Sequence, residues 1–538
     1  MGLWAKSVVI FNSIREHGKQ SIRSLADRTG LSKSSVHRHL QAMDRRDRYP
    51  ESSFWETEAG REVSPTPDMT WLIRLVVATL FVFGLKRGVG AETLSEFFSR
   101  LRLAGHLGCS PSALLSVMRT LERHVLDTTA AWEQEGIAHG EIRPVIGAVD
   151  ETFLQHMMRV FMDLATGYLL MEEAAADRSF DTWFERANER LTTFGAQMWY
   201  MVSDRAKALI KLAHTGFRCL SIPDLFHLGH DLAKGYSLSI FSRLRQAKGA
   251  LEQAKQRLET LQNKPQADPI HIVQAQAEVA TCAASVHHWR EVGHTWRQHL
   301  SNLSRIVHPW RFSDSMRQSS QEVEEQLQAE LQAIETFLES HGLPVKKETL
   351  SKAQKQLGGL SALIDLWWPT VRQDLAQLAM TPRWTQWAEE ALLPLMYWQE
   401  QLRRTRHRAQ KAQIALALQA LAEAFEQHSC TRQLQPELLA DWKAWAADHA
   451  KAVQRASSAV EGRNGYLSQM QHNHRGLPAR RYAVWTALHN FDGRAKDGTT
   501  PASRFFRRSF PDLFESVLSQ IDELPMPRQR RQALATSH

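Results

Sequence analysis

Apolar residues change their spacing along the chain, and each change marks a new kind of element. Between Ser21 and Met43 (SIRSLADRTGLSKSSVHRHLQAM) they fall at helical spacing on both sides of a glycine. Leu25, Leu31, Leu40 and Met43 predict the inner face of two short helices. Ala26 lets the helices approach, Gly30 takes the left-handed turn, Ser32 caps the second helix and Val36 packs it onto the first. This is the spacing of a helix-turn-helix, and Ser53 to Val63 is expected as its wing. A second stretch, Ala91 to Leu126, starts a helix at Ser110-Pro111 and carries Leu114, Leu115, Met118, Leu121 and Val125 on one face. It reads either as a second helix-turn-helix or as a plain helical linker.

From about residue 142 the pattern shortens to strand-like runs. Arg143 to Asp150 predicts a buried strand ending in an acid; Phe153 to Met162 and Gly167 to Met171 predict two more, joined by a turn at Asp163 to Thr166. A helix is expected over Ser179–Thr193. Gln197 to Asp204 is a second apolar run ending in an acid, before a helix over Ala206–His214 and a strand over Arg218–Ile222. Two strands that each end in Asp bring two carboxylates to one sheet edge, as a divalent cation with hard oxygen ligands requires. Glu151 alternates to the opposite face.

Residues 236 to 450 return to helical periodicity. Leu244, Ala247, Leu251, Ala254, Leu258 and Leu261 form a heptad stripe, ended by Asn263, Lys264 and Pro265. Leu327, Leu331, Ile334 and Leu338 repeat it up to Gly342 and Pro344, and Gln399 to His428 gives a third run. Antiparallel hairpins bury such stripes. The tryptophans here, Trp289, Trp296, Trp310, Trp367 and Trp368, read first as core and only second as base-stacking groups. Of these, Trp310 in His308-Pro309-Trp310 is the best single candidate for base stacking, because the proline would fix an exposed loop. The last segment, 451 to 538, is a helix followed by basic loops and a helical tail.

Composition narrows the class. The chain has 538 residues, 43% of them hydrophobic and 23% charged, as in ordinary globular proteins. Its four cysteines form no Cys-x-x-Cys pair, which argues against a disulfide scaffold or zinc finger and fits a reducing compartment. No signal peptide is read, and the apolar run from Trp71 to Leu85 is interrupted by Arg74. A cytoplasmic, nucleoid-associated bacterial protein with no membrane contact is the expectation. Net charge is +8 overall. Ten Lys/Arg against four Asp/Glu place +6 of charge between Met1 and Pro50 alone. Lys33, Ser34, Ser35, His37 and Arg38 are expected to face DNA from the start of the second helix, with Arg45, Arg46 and Arg48 beyond. Arg463, Arg475, Arg480, Arg481, Arg504, Arg507 and Arg508 form a second basic group suited to phosphate.

Three short motifs give these segments a common meaning: Val149-Asp-Glu-Thr152, Val202-Ser-Asp-Arg205 and Ser458-Ala-Val-Glu-Gly-Arg-Asn464. With the order β, β, β, α, β, α they resemble the DDE transposases, whose RNase H-like core cuts and joins DNA. Asp224-Leu-Phe-His227 is similar to the acid-or-Cys, two residues, His signature of the Mutator and hAT types. Those families carry an all-helical insertion before the last acid, and here Glu461 follows Asp204 by 257 positions. The resemblance implies a multidomain α+β chain. Its parts are a winged helix-turn-helix over 1–65, a helical segment over 66–140, an RNase H-like α/β core split between 141–235 and 451–538, and an insertion over 236–450. It further implies that Asp150, Asp204 and Glu461 hold Mg²⁺, with Mn²⁺ as a substitute, and that Asp224 and His227 support them. The implied partners are duplex DNA, as element ends and target, and further copies of the chain. An inactive DNA-binding regulator of the same descent, or an RNase H-like nuclease without strand joining, would share much of this pattern.

Overall fold

Short helices at the amino terminus make a small core of their own. The computed structural model describes residues 3–526 apart from 18–20, 49–66, 104–105, 141, 143, 155, 266–267, 379, 406–407 and 473–478. Helices α1 (Leu3–His17), α2 (Ile22–Thr29) and α3 (Lys33–Arg48) bury Ile10, Leu25, Ala26 and Val36, with Ile14, Leu31 and Leu40 packed around them. Ser21 Oγ accepts the Ser24 N–H to cap α2. Gly30 ends it at φ 66°, a conformation that costs a residue with a side chain more than glycine. Ser32 Oγ accepts the Ser35 N–H and caps α3. The helix-turn-helix expected from the sequence is present; its proposed wing, Ser53 to Val63, lies outside the described residues.

Next come α4 (Pro67–Thr79), which continues as a π-helical turn, α5 (Ala91–Arg100) and α6 (Pro111–His139). The second helix-turn-helix is not formed. Ten residues separate α5 from α6, where that motif needs a turn of about three or four. The 29-residue α6 buries Leu114, Met118, Leu121 and Val125 in the main core, while Leu115 is exposed.

The sheet has five strands in the order β3-β2-β1-β4-β5, from β1 (Val145–Phe153), β2 (Met157–Asp163), β3 (Tyr168–Ala175), β4 (Met198–Ser203) and β5 (Leu220–Pro223). β1, β2 and β3 pair antiparallel; β1, β4 and β5 pair parallel. Every residue of β2 is buried, as expected of a strand covered on both faces. Helix α7 (Phe180–Phe194) follows β3 and buries Trp183, Ala187, Leu191 and Phe194. Helix α8 (Lys207–Lys211) and a π-helical turn lie between β4 and β5. Two strand ends differ from expectation. β1 runs three residues past Asp150 to Phe153, so that Asp150 lies inside the strand opposite Val160. β2 begins at Met157, because Phe153 pairs with Met157 across the hairpin.

The helical block is α9 (Leu225–Gln262), α10 (Pro269–Ile306), α11 (Ser320–Ser340), α12 (Lys347–Gln354), α13 (Leu357–Gln377), α14 (Pro382–Trp387), α15 (Leu393–Arg404), α16 (Arg408–Gln427), α17 (Ser429–Gln433) and α18 (Pro436–Ala452). Helices α9 and α10 pack along each other; at 38 residues each is ~57 Å long. The alanines of the first heptad stripe, Ala247 and Ala254, are buried with Ala275, and its leucines are half-buried. The α11 stripe, Leu327, Leu331, Ile334 and Leu338, is buried throughout. The run expected over Gln399–His428 is instead split between α15 and α16. Trp296, Trp310, Trp367 and Trp368 are buried; Trp310 packs on Trp367, Trp368 and Tyr397 with ring centroids 5.1–5.3 Å apart. They are core, and His308-Pro309-Trp310 is no exposed loop.

Residues 453–457 strap this block to the sheet. Tyr200 Oη on β4 donates to Ala452 O at 2.6 Å and accepts the Gln454 N–H at 2.9 Å. Leu225 N–H donates to Arg455 O, and the buried Arg455 guanidinium donates to Ser304 O and Val307 O at the end of α10. Then α19 (Ser458–His472) packs on β1 and β2, and α20 (Ala479–Phe491) packs on β3. Asn490 pairs its amide with both backbone groups of Leu169, each at 2.9 Å, which satisfies part of the sheet's edge. Helices α21 (Pro501–Phe505) and α22 (Leu513–Leu518) end the described chain, with α22 against α4 and α6. The boundaries expected at 235/236 and 450/451 fall inside α9 and α18. No helix among the described residues is long and apolar enough to cross a membrane.

Tyr200→Phe keeps the ring and removes the hydroxyl that the strap depends on. Leaving the Gln454 N–H and Ala452 O without that partner should cost about 1–3 kcal/mol, measured by chemical denaturation. A parent-like midpoint would show that the strap is held by other contacts.

Candidate functional site

Three elements converge at the sheet. Asp150 comes from β1, where its Oδ1 accepts the Glu151 N–H and its Oδ2 accepts from Asn464 Nδ2 on α19 at 2.7 Å. Asp204 follows β4 directly and caps the next turn through the Ala206 N–H at 2.9 Å. The backbone is strained just beyond it, with Arg205 at φ 65°. Glu461 sits in the first turn of α19. Glu151 points to the opposite face, as strand alternation requires, and accepts from Trp183 Nε1 and Arg178.

Asp224 ends β5 and begins α9. One carboxyl oxygen accepts the Phe226 N–H; the other accepts from Ser457 Oγ and contacts His227 Nδ1 at 2.8 Å. His227 Nε2 lies 3.4 Å from Glu461 Oε1. The Asp-Leu-Phe-His spacing thus puts acid and imidazole on one turn, and the imidazole bridges Asp224 to the third acid.

Charge in this cluster is unbalanced. Burial pushes the Asp150 carboxyl from 3.8 to about 7, with Glu461 and Asp204 adding to the rise while the Glu151 N–H and His227 oppose it. The Asp224 hydrogen bond carries His227 from 6.5 up to about 9, against its burial and with help from the charges of Asp224, Glu461 and Asp150. Burial alone would raise Asp224, but hydrogen bonds from His227, Ser457 and Phe226 outweigh it and hold the carboxyl below its usual range. At neutral pH His227 is therefore an imidazolium between two acids.

These residues fit a hard divalent cation in chemistry: carboxylate oxygens, and beside them the buried Asn464 Oδ1 with no hydrogen-bond partner. Among the described residues, no group of three or more His, Cys, Asp or Glu side chains forms a ready-made metal site.

Several expected DNA contacts are placed differently. Lys33, Ser34, His37 and Arg38 are exposed on α3, but Ser35 is 7% exposed. It shares the inner side of the helix with Val36 and His39, so it does not face DNA. Arg463 is 6% exposed and its guanidinium grips Glu172 of β3, the Nη2 bond being 2.7 Å. It pins α19 to the sheet and is not a phosphate contact. Arg481 is paired with the buried Glu122 at 2.5 Å, whereas Arg480 is exposed with its nearest acid oxygen, also of Glu122, 3.9 Å away. Arg504 donates to Thr166 O and Thr499, and Arg508 pairs with Glu135. Arg507 is exposed and 3.7 Å from Asp448. Arg475 lies outside the described residues, as do the side chains of Arg45, Arg46 and Arg48. Sequence reasoning missed Asn464 and Ser457 as positioning groups. Asn464 was visible beside Glu461, three positions on and hence on the same helix face; nothing in the sequence marks Ser457.

Residues 5–47 match the IclR helix-turn-helix domain. Residues 388–533 match a family of unknown function, DUF6399, and that span contains Glu461, Arg463 and Asn464. No curated protein and no solved structure matches the chain. The amino-terminal match, with the exposed Lys33 and Arg38, points to DNA binding.

Two outcomes follow. Arg38→Ala should weaken sequence-specific DNA binding by about 1–3 kcal/mol if it reads a base, whereas Ser35→Ala should leave it nearly unchanged; titration at fixed salt separates them. Asp150 holds a proton in the folded state between pH 3.8 and about 7 that the unfolded chain has released, so its contribution to stability is largest at low pH and lost as pH rises toward 7. In chelator, Asp150→Asn should therefore melt a few degrees above the parent at pH 8, with the gap closing by acid pH. Equal melting at pH 8 would mean that the charge is well accommodated.

Proposed function

We propose that this chain is a DNA-cutting and DNA-joining enzyme of the DDE transposase type. In this reading the sheet and α19 form an RNase H-like core, and the helical block is its insertion. The observation that carries it is that Asp150, Glu461 and Asp204, from three distant segments, are near enough for both other acids to raise Asp150, with His227 Nε2 3.4 Å from Glu461. The strand order β3-β2-β1-β4-β5 supports it further.

A Mg²⁺ or Mn²⁺ ion held by the three acids would supply a Lewis acid for a phosphate oxygen and make a bound hydroxyl more acidic. The chain's own residues do the rest. Asn464 orients Asp150, and Asp224 keeps His227 protonated, with Nε2–H beside Glu461 where a phosphate oxygen would approach. The helix-turn-helix holds element DNA by base edges and phosphates, which raises the concentration of its ends at the core. Assembly as a dimer or larger complex on DNA belongs to this reading.

The rival reading is an inactive DNA-binding regulator of the same descent. Its support is that no ready-made group of three metal ligands exists among the described residues. One experiment separates the two. A labelled duplex carrying the sequence that flanks the gene is incubated with the chain in Mg²⁺ or Mn²⁺, and cutting and joining are followed beside binding. The parent should cut, and Asp204→Asn should lose cutting while binding persists, because the amide removes a charge that is not part of the helix-turn-helix. Binding without cutting by the parent would favour the regulator; an Asp204→Asn variant that still cuts would reduce Asp204 to a helix cap.

A further inference from the structure

We propose that Phe226, His230 and Lys234, on one face of α9, form a track for an unpaired nucleotide of the DNA strand that leaves the acid cluster. This rests on the nucleic-acid reading of the same site, and extends it to what the strand contacts beyond the cut.

The buried face of α9 is Leu225, Leu228, Leu232, Tyr236 and Ile240. Phe226 is not part of it: it is 44% exposed, directly beside His227 and within two turns of groups that carry full charge. Its ring lies 6.1 Å from that of His230 with an interplanar angle of 19°, a stacked pair open to solvent. The spacing 226, 230, 234 keeps three side chains on one helix face. His230 and Lys234 are both exposed. Leu238, 75% exposed, continues the line.

An aromatic platform followed by a cation matches single-stranded nucleic acid, in which a base offers its π-face and the next phosphate offers its charge. A paired base cannot use it, because its faces are covered by the neighbouring steps of the duplex. The track therefore selects strands that are frayed or unpaired next to the acids, and it gives Phe226 a positioning role separate from the chemistry of Asp150, Asp204 and Glu461.

The test uses the full chain in EDTA, where no cutting occurs. Two duplexes are compared, one with 2-aminopurine in a short unpaired overhang and one blunt with 2-aminopurine paired. The parent should quench the overhang probe and prefer it to the blunt duplex. Phe226→Leu keeps apolar bulk without a ring; it should lose the quench and weaken overhang binding by about 5- to 150-fold. Phe226→Trp should retain both. Circular dichroism checks that the variants fold. If the parent never cuts in Mg²⁺ yet quenches in a Phe226-dependent way, the track stands and the catalytic proposal falls. If the parent cuts but Phe226→Leu quenches and prefers the overhang as the parent does, the track is overturned. Equal binding of both duplexes by the parent would also overturn it and leave the exposed row to a protein contact.

Discussion

Asp224 is the residue on which the arrangement turns. A buried carboxylate is tolerable only when its oxygens are satisfied, and this one is satisfied by three bonds from two segments: the Phe226 N–H and the His227 imidazole in the first turn of α9, and the hydroxyl of Ser457. Each bond fixes something that matters elsewhere. The cap sets where the 38-residue α9 starts. The imidazole contact orients Nε2 toward Glu461. The serine contact sets the first residue before α19. Loss of Asp224 would leave a helix start, a histidine and a strap without their common reference.

Helix α19 is then held at two further points, Asn464 on Asp150 and Arg463 on Glu172. Both bonds join residues about three hundred positions apart, so the site is a product of the whole chain's closure and of no local motif. Charge is balanced around the structural pairs, with Arg463 against Glu172 and Arg481 against Glu122. At Asp150 the balance is different: burial and the neighbouring Glu461 and Asp204 all act against its charge. That contrast separates the pairs that hold the fold from Asp150, whose perturbed ionisation marks candidate function.

Much of this was legible in the sequence, for identifiable reasons. Apolar runs ending in an acid revealed both strand acids because burial on both sheet faces leaves few polar positions. Gly30 and Val36 revealed the amino-terminal reader because their roles are local. Ser35 failed because three successive polar residues, Lys33, Ser34 and Ser35, start α3 and hide which of them turns inward. Arg463 failed because its partner Glu172 is remote, and a basic residue in a basic segment looks like a phosphate ligand. The boundaries expected at 235/236 and 450/451 fall inside α9 and α18, helices whose composition changes gradually along their length. Of the tryptophans favoured as core, Trp296, Trp310, Trp367 and Trp368 are core, and Trp289 is half-buried at its edge.

The strap between the block and α19 also has a consequence for how the protein comes into being. The three amino-terminal helices have a core of their own and can fold as soon as they leave the ribosome. The sheet can follow, carrying two of its acids. Glu461 and Asn464 emerge only after the helical block has been made, and contacts of such long sequence separation form late. A nascent chain therefore carries its helix-turn-helix through most of its synthesis without a complete acid cluster. The order of residues along the polypeptide is itself a delay, and it withholds the last acid until the surface that must receive it has been built.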